Sequence, residues 1–157
     1  KVGATSALAT EVRRVQAERG LKVLSQVQRG GLAPGGGAAF LHCIQSVIDG
    51  AGSWQGADEV RTGMQVVANA LSAPLTQLLK NAGVNATALE VDRVRSAGSP
   101  ATFDAMRETV VDAYKAGIVD ATDVLATALQ SAVSGATMAL STDAIVYHRA
   151  PQASMEP

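Results

Sequence analysis

Apolar positions along this chain recur mostly at three- and four-residue spacing, which is the pattern of helices that bury one stripe each. Over residues 6–28, Leu8, Val12 and Val15 share a helical face, and Leu21, Leu24 and Val27 continue it after a slip near Gly20. Ser6 suits the N-cap and Gly30-Gly31 the stop. The other side carries Glu11, Arg13, Arg14, Gln16 and Glu18 and reads as a solvated face. A second helix starts within the glycines and runs to about Ile48 on Ala38, Leu41, Ile44 and Ile48, followed by a loop, "DGAGSWQG". Residues 57–83 give the cleanest periodicity, with Val60, Met64, Val67, Leu71, Leu75 and Leu78 in step. Pro74 lacks an amide donor and crowds the preceding turn, so it breaks or kinks this stretch near Leu71–Ala73. Gly83 ends it, and Asn85 is placed to cap a short helix through Val94.

"RSAGSPAT" reads as a loop. Residues 103–116 read as a helix with Met106, Val110 and Tyr114 inward and Gly117 as its stop. Thr122 is placed to cap a last long helix through about Leu140, using Val124 or Leu125, Ala128, Leu129, Ala132 and Ala136. "AIVYHR", residues 144–149, is β-prone, and the tail after it reads as unstructured. The sum is a mainly helical, all-α chain with one marginal strand at each end. Each long helix has one apolar stripe, and the elements are few for covering all of them.

Composition narrows this picture. The 157 residues suit one domain or a piece of a larger one. Hydrophobic residues make up 47% and aromatics only 3%, so the core is aliphatic and a disordered chain is excluded. A net charge of −1 gives no nucleic-acid footprint and no basic membrane patch. No run approaches the ~18 apolar residues of a membrane span, and no signal peptide is visible. The single cysteine cannot form an internal disulfide, which is compatible with a reducing compartment. The chain begins without methionine, which fits processing, cutting or a longer polypeptide.

The most unusual stretch is "GGLAPGGGAAF", residues 30–40. It is not a Walker loop: that motif ends in Gly-Lys-Ser/Thr, so that the lysine meets the outer phosphates and the hydroxyl holds magnesium, and here Gly37 is followed by Ala38-Ala39-Phe40. Gly35, Gly36 and Gly37 either let a ligand lie against bare backbone at a helix N-terminus or make a tight turn with close helix packing. His42 and Cys43 are adjacent on a predicted helix and point apart; with His148 on the tail strand they form neither metal-ligand spacing nor a nucleophilic pair. Asn85-Ala86-Thr87 matches a glycosylation sequon by chance. Asp120, in a short loop after a helix stop, is on local pattern a cap or a solvated acid. No catalytic constellation of a small-molecule enzyme is present.

"KVGA" at residues 1–4, "GLAPGGGAA" at 31–39, "ALSAPLTQLLKNAG" at 70–83 and "AGIVDATDVLATALQSAVSGATMALSTDAIV" at 116–146 occur in register. Together they resemble the C-terminal part of group I chaperonins, the family of bacterial GroEL and its mitochondrial and chloroplast counterparts. Pro34, before the triple glycine, is more like the plastid members. The resemblance implies the C-terminal half of a chaperonin equatorial domain with part of the intermediate domain, and short strands at the ends. Residues 1–28 would be the return segment of the intermediate domain, 29–149 the equatorial helices and final strand, and 150–157 a flexible tail. It also implies ATP and magnesium as cofactors, and seven-membered rings in which hydrolysis drives enclosure of unfolded protein substrates. The partners implied are other chaperonin-type subunits or a larger protein assembly, in a chloroplast, a mitochondrion or the bacterial cytoplasm.

Carried over position by position, Gly36, flanked by Gly35 and Gly37, is similar to the family's backbone contact with the nucleotide's sugar and base. Asp120 matches the acid that binds the ribose, and Ile118 an apolar contact near the base. "TFDAM", residues 102–106, matches the segment whose asparagine and alanine touch adenine; Asp104 stands at the asparagine and Ala105 is kept. An aspartate cannot donate to a ring nitrogen. The family's water-positioning aspartate falls on Arg19, with Gly20 after it in place of alanine, and arginine accepts no proton. The family's phosphate loop and magnesium-binding aspartate belong to its N-terminal half. Two expectations follow: the C-terminal part of a protein-folding ring subunit, or a degenerate chaperonin-derived module that serves as a structural or interaction part of a larger organellar assembly.

Overall fold

In the computed structural model, which describes residues 3–144 and 146, the chain is mainly helical. The first helix, α1 (Ala7–Gly30), is capped by Ser6, whose hydroxyl accepts the Ala9 amide at 3.2 Å. Its polar face behaves as a solvated one: Arg14 pairs with Glu11 and Glu18, and this hydrogen-bonded cation holds the Glu11 carboxyl below the usual carboxylate range. A short strand, β1 (Leu32–Pro34), leads through the glycines into α2 (Ala38–Ser53). This helix overruns the expected stop at Ile48 and the predicted loop, because Ala51, 2% exposed, is packed in where α2 lies along α3 (Asp58–Ala70). Tertiary burial there outweighs the poor helix propensity of Gly50 and Gly52.

The break expected at Pro74 is present. α3 ends at Ala70, and α4 (Ala73–Asn81) begins with Pro74 in its first turn, where a missing amide costs nothing. α5 (Thr87–Ala97) follows, but Ala86 rather than Asn85 occupies the N-cap position, with no side-chain bond.

The expected helix over residues 103–116 is replaced by a hairpin, β2 (Ala101–Asp104) against β3 (Thr109–Asp112), and a single turn, α6 (Ala113–Ala116). Two aspartates explain the substitution. Asp104 accepts the Met106 and Arg107 amides and closes the hairpin turn, while Asp112 accepts the Tyr114 and Lys115 amides and caps α6. Thr109, Val110 and Val111 are β-branched and suit the returning strand. Of the residues expected inward, Val110 packs on the core, Met106 is 93% exposed, and Tyr114 is exposed with its hydroxyl donating to the Leu32 carbonyl.

β4 (Val119–Ala121) then pairs antiparallel with β1, so Asp120 lies in a strand and not in a loop. α7 (Thr122–Leu140) closes the described structure; Thr122 is its first residue, after Ala121 at the N-cap. The strands expected at the two ends fall largely on Lys1, Val2, Ile145 and residues 147–157, which with His148 lie outside the described residues.

The core is aliphatic, as the composition requires: Leu41 of α2, Leu75 and Leu79 of α4, and Val91 and Val94 of α5, closed by Phe103 of β2. Leu75 is 0% exposed, so Leu75→Ala is expected to lower unfolding free energy by about 2–5 kcal/mol, read from the midpoint of chemical denaturation. By contrast, neither α1 nor α7 buries any residue fully. Between α7 and the α2–α3–α4 side runs an apolar groove of about 770 Å³, lined by Phe40, Val66, Leu71, Leu129, Val133 and Leu140 among others.

Candidate functional site

The site is built where α1 hands the chain to α2. Gly31 (φ 79°) turns the backbone out of α1, and its carbonyl accepts the Thr122 amide. β1 then lies on β4, with Ala33 opposite Asp120 and Pro34 opposite Val119. The Gly35 amide extends this ladder by donating to the Ile118 carbonyl at 2.9 Å. Gly36 (φ 68°) and Gly37 (φ 82°) occupy the left-handed region that favours glycine, and α2 starts at once.

The three glycines have separable reasons. A Cβ on Gly35 would stand 3.0 Å from the Ile118 and Val119 backbone, and one on Gly37 would stand 2.8 Å from the Leu75 amide nitrogen. Both are close-packing glycines, as the tight-turn reading requires. Gly36 is different. Its nearest neighbours around a Cβ would be side-chain ends, Thr102 Oγ1 at 3.3 Å, Leu78 Cδ1 at 3.8 Å and Ile118 Cγ2 at 4.0 Å, and the residue is only half-buried. Its bare backbone forms an open ledge among these side-chain ends.

Two strand faces converge on it. On β2 the odd positions Ala101 and Phe103 face one way, and Phe103 enters the core. Thr102 and Asp104 share the other face. Thr102, fully buried, donates its hydroxyl to the Gly35 carbonyl at 2.8 Å. On β4's side, Ile118 and Asp120 are likewise two residues apart; Ile118 flanks Gly36, and Asp120 is half-buried beside Ala33. Thr102 was not legible as a site residue, because its role depends on a strand that the helical spacing concealed. Thr102→Val leaves the Gly35 carbonyl with only the longer Ala38 amide contact of 3.3 Å. A loss of about 1–3 kcal/mol is expected, with faster hydrogen exchange at residues 35–38.

Asp104 is the other residue that the structure clarifies. Its Oδ1 accepts the Met106 amide at 2.9 Å and the Arg107 amide at 3.2 Å, and its Oδ2 lies 3.7 Å from Arg107 Nη1. Ala105 is exposed at the start of the turn. His42 places Nε2 2.8 Å from the Ala101 carbonyl and so steadies β2; Cys43 is exposed on α2.

Arg19 is not brought to the ledge. It is exposed on α1, and a helical rise of 1.5 Å per residue puts it roughly 16 Å along the axis from Gly30. Among the described residues no group of three or more His, Cys, Asp or Glu could hold a metal ion.

Residues 2–150 match the TCP-1/cpn60 chaperonin family. The chain is 34% identical over 146 residues to the chaperonin GroEL of Neorickettsia risticii, a match that covers 93% of this chain and 26% of that protein. Its similarity to the chaperonin GroEL of Neorickettsia sennetsu has the same extent. The chain thus spans about a quarter of the length of these curated relatives. Among solved structures, the open-state monomer of a group II chaperonin from Methanococcoides burtonii superposes with a TM-score of 0.73 at 18% identity, covering 87% of this chain and 35% of that one, a likeness of fold.

Proposed function

The chain belongs to the TCP-1/cpn60 chaperonin family, and from that premise we propose that it is the C-terminal part of a chaperonin-type ring subunit whose glycine ledge holds the sugar and base of a purine nucleoside triphosphate. The observation that supports this reading is the convergence on Gly36 of Ile118, Thr102 and the strands that carry Asp104 and Asp120. Gly36 offers bare backbone to the sugar, Ile118 an apolar wall, and Asp120 a carboxylate that accepts from the ribose hydroxyls. Magnesium and the phosphates, which the family resemblance implies together with ATP, fall to a part of the subunit beyond the residues described here.

The remaining assignments belong to the same proposal. Residues 1–28 form the return segment of the intermediate domain, 29–149 the equatorial part and 150–157 a tail. Neighbouring subunits of the same kind are its partners and unfolded proteins its substrates, in an organelle or the bacterial cytoplasm. No helix among the described residues is long and apolar enough to cross a membrane. The apolar groove beside α7 takes the rest of the subunit or a partner in a larger assembly. Arg19 favours a second reading for turnover alone: a subunit or module that binds nucleotide and stays structural, because nothing at that position can orient an attacking water.

Calorimetric titration of the native assembly with ATP and GTP tests the site. Asp120→Ala removes a charge-assisted acceptor and is expected to weaken nucleotide binding roughly 10–100-fold. Unchanged affinity would remove Asp120, and with it this reading of the ledge.

A further inference from the structure

We propose that Thr102 is a positioning residue of the ledge: its hydroxyl locks the Gly35–Gly36 peptide so that the Gly36 amide is held as a hydrogen-bond donor to the ligand. This rests on the nucleotide reading of the glycine ledge and adds the side chain that sets the direction of its backbone.

The turn is anchored at both ends. At one end the Gly35 amide donates to the Ile118 carbonyl at 2.9 Å. At the other, Gly37 is seated so closely on α4 that an added Cβ would stand 2.8 Å from the Leu75 nitrogen. The peptide unit between Gly35 and Gly36 is restrained by neither contact. Both of its flanking residues lack a Cβ, so its rotation meets little steric resistance. What holds it is the Gly35 carbonyl, which accepts the Thr102 hydroxyl at 2.8 Å and the Ala38 amide at a longer 3.3 Å. Thr102 is fully buried and its branched side chain is stiff about χ1, so the hydroxyl has a fixed direction. The bare Gly36 Cα leaves room for it: a Cβ there would stand 3.3 Å from Thr102 Oγ1.

In a planar trans peptide the C=O and the N–H point in opposite directions. Drawing the Gly35 oxygen towards β2 therefore aims the Gly36 N–H away from β2. That amide and the Gly37 amide donate to no backbone acceptor among the described residues, and Gly36 is only half-buried. Two backbone donors are thus left for a ligand just ahead of α2. Without the hydroxyl the Gly35–Gly36 peptide is free to flip, which turns a carbonyl oxygen to the ligand where the donor stood.

Titration of the native assembly with ATP, combined with hydrogen exchange across residues 35–38, tests this. Thr102→Val keeps the shape and removes the hydroxyl; it is expected to weaken ATP binding about tenfold, because the donor-out peptide becomes the minor state. Thr102→Ser keeps the hydroxyl and is expected to bind within about twofold of the unaltered protein. Gly83→Ala strains a left-handed turn with open space around it, so it lowers stability without touching the ledge and is expected to bind as the unaltered protein does. Bound ATP is expected to slow exchange at the Gly36 and Gly37 amides of the unaltered protein. If Thr102→Val does not fold, that slowing and the Thr102→Ser affinity still decide. Equal affinity of Thr102→Val and the unaltered protein, equal losses in Thr102→Val and Thr102→Ser, or ATP binding without slower exchange at residues 36–37 overturns the positioning role and leaves the ledge as a nucleotide site. Failure of the unaltered protein to bind ATP overturns the nucleotide reading and the positioning role together.

Discussion

In a native assembly in which α1 swings residue 19 over the ledge from its place roughly 16 Å along the helix, Arg19→Asp is expected to raise nucleotide hydrolysis by about 10²-fold or more, measured as steady-state phosphate release. Arg19 lies sixteen residues before Gly35 on the helix that feeds the ledge, at the position where the family resemblance implies a carboxylate. A guanidinium has five donors and no acceptor, so it neither takes a proton from water nor holds one in line. Aspartate supplies both functions. The residue is exposed, so the change perturbs α1 by no more than a few tenths of a kcal/mol through helix propensity. Arg19→Ala serves as the comparison and is expected to stay as slow as the unaltered protein, which separates gain of a carboxylate from loss of a cation. Equal rates for all three proteins would place the block elsewhere and contradict the role assigned to Arg19.

Gly37→Ala lowers stability by about 3 kcal/mol, whereas Gly83→Ala lowers it by about 1–2 kcal/mol. Both residues are left-handed, with φ 82° and 79°, so they share the conformational cost of adding a Cβ. Only Gly37 also has a backbone in the way: the added carbon would meet the Leu75 nitrogen at 2.8 Å and the Pro74 carbonyl carbon at 3.2 Å. Around Gly83 the space is open. The difference in denaturation midpoint therefore measures how firmly the start of α2 is seated on α4, which sets the height of the ledge. Equal destabilisation by the two substitutions would mean that the contact yields without cost.

The helices were largely legible because their signals are local. Ser6 caps α1, Pro74 separates α3 from α4, and α7 keeps its small-residue spacing to Leu140. The β2–β3 hairpin was not legible, since Phe103, Met106, Val110 and Tyr114 fall at helical spacing by coincidence, and four-residue strands give little alternation to set against it. The two aspartate side chains that settle the matter act through backbone amides two and three residues on, a signal equally compatible with a helix cap. The glycine run is legible as a tight turn into α2, but what Gly36 faces depends on non-local pairing. Ala33 meets Asp120, and Thr102 reaches Gly35, contacts that no local pattern encodes. The same applies to Arg19, which roughly 16 Å of α1 separates from the Gly30 end that leads into the ledge.

If the ledge holds a nucleotide that this chain's own residues do not turn over, incubation of the unaltered native assembly with a radiolabelled purine triphosphate separates binding from chemistry in one experiment. The expected result is saturable binding, abolished by Asp120→Ala, with the label recovered as intact triphosphate after many binding lifetimes. Absence of binding, or conversion to diphosphate at a rate that Arg19→Asp does not increase, is the result that would contradict it.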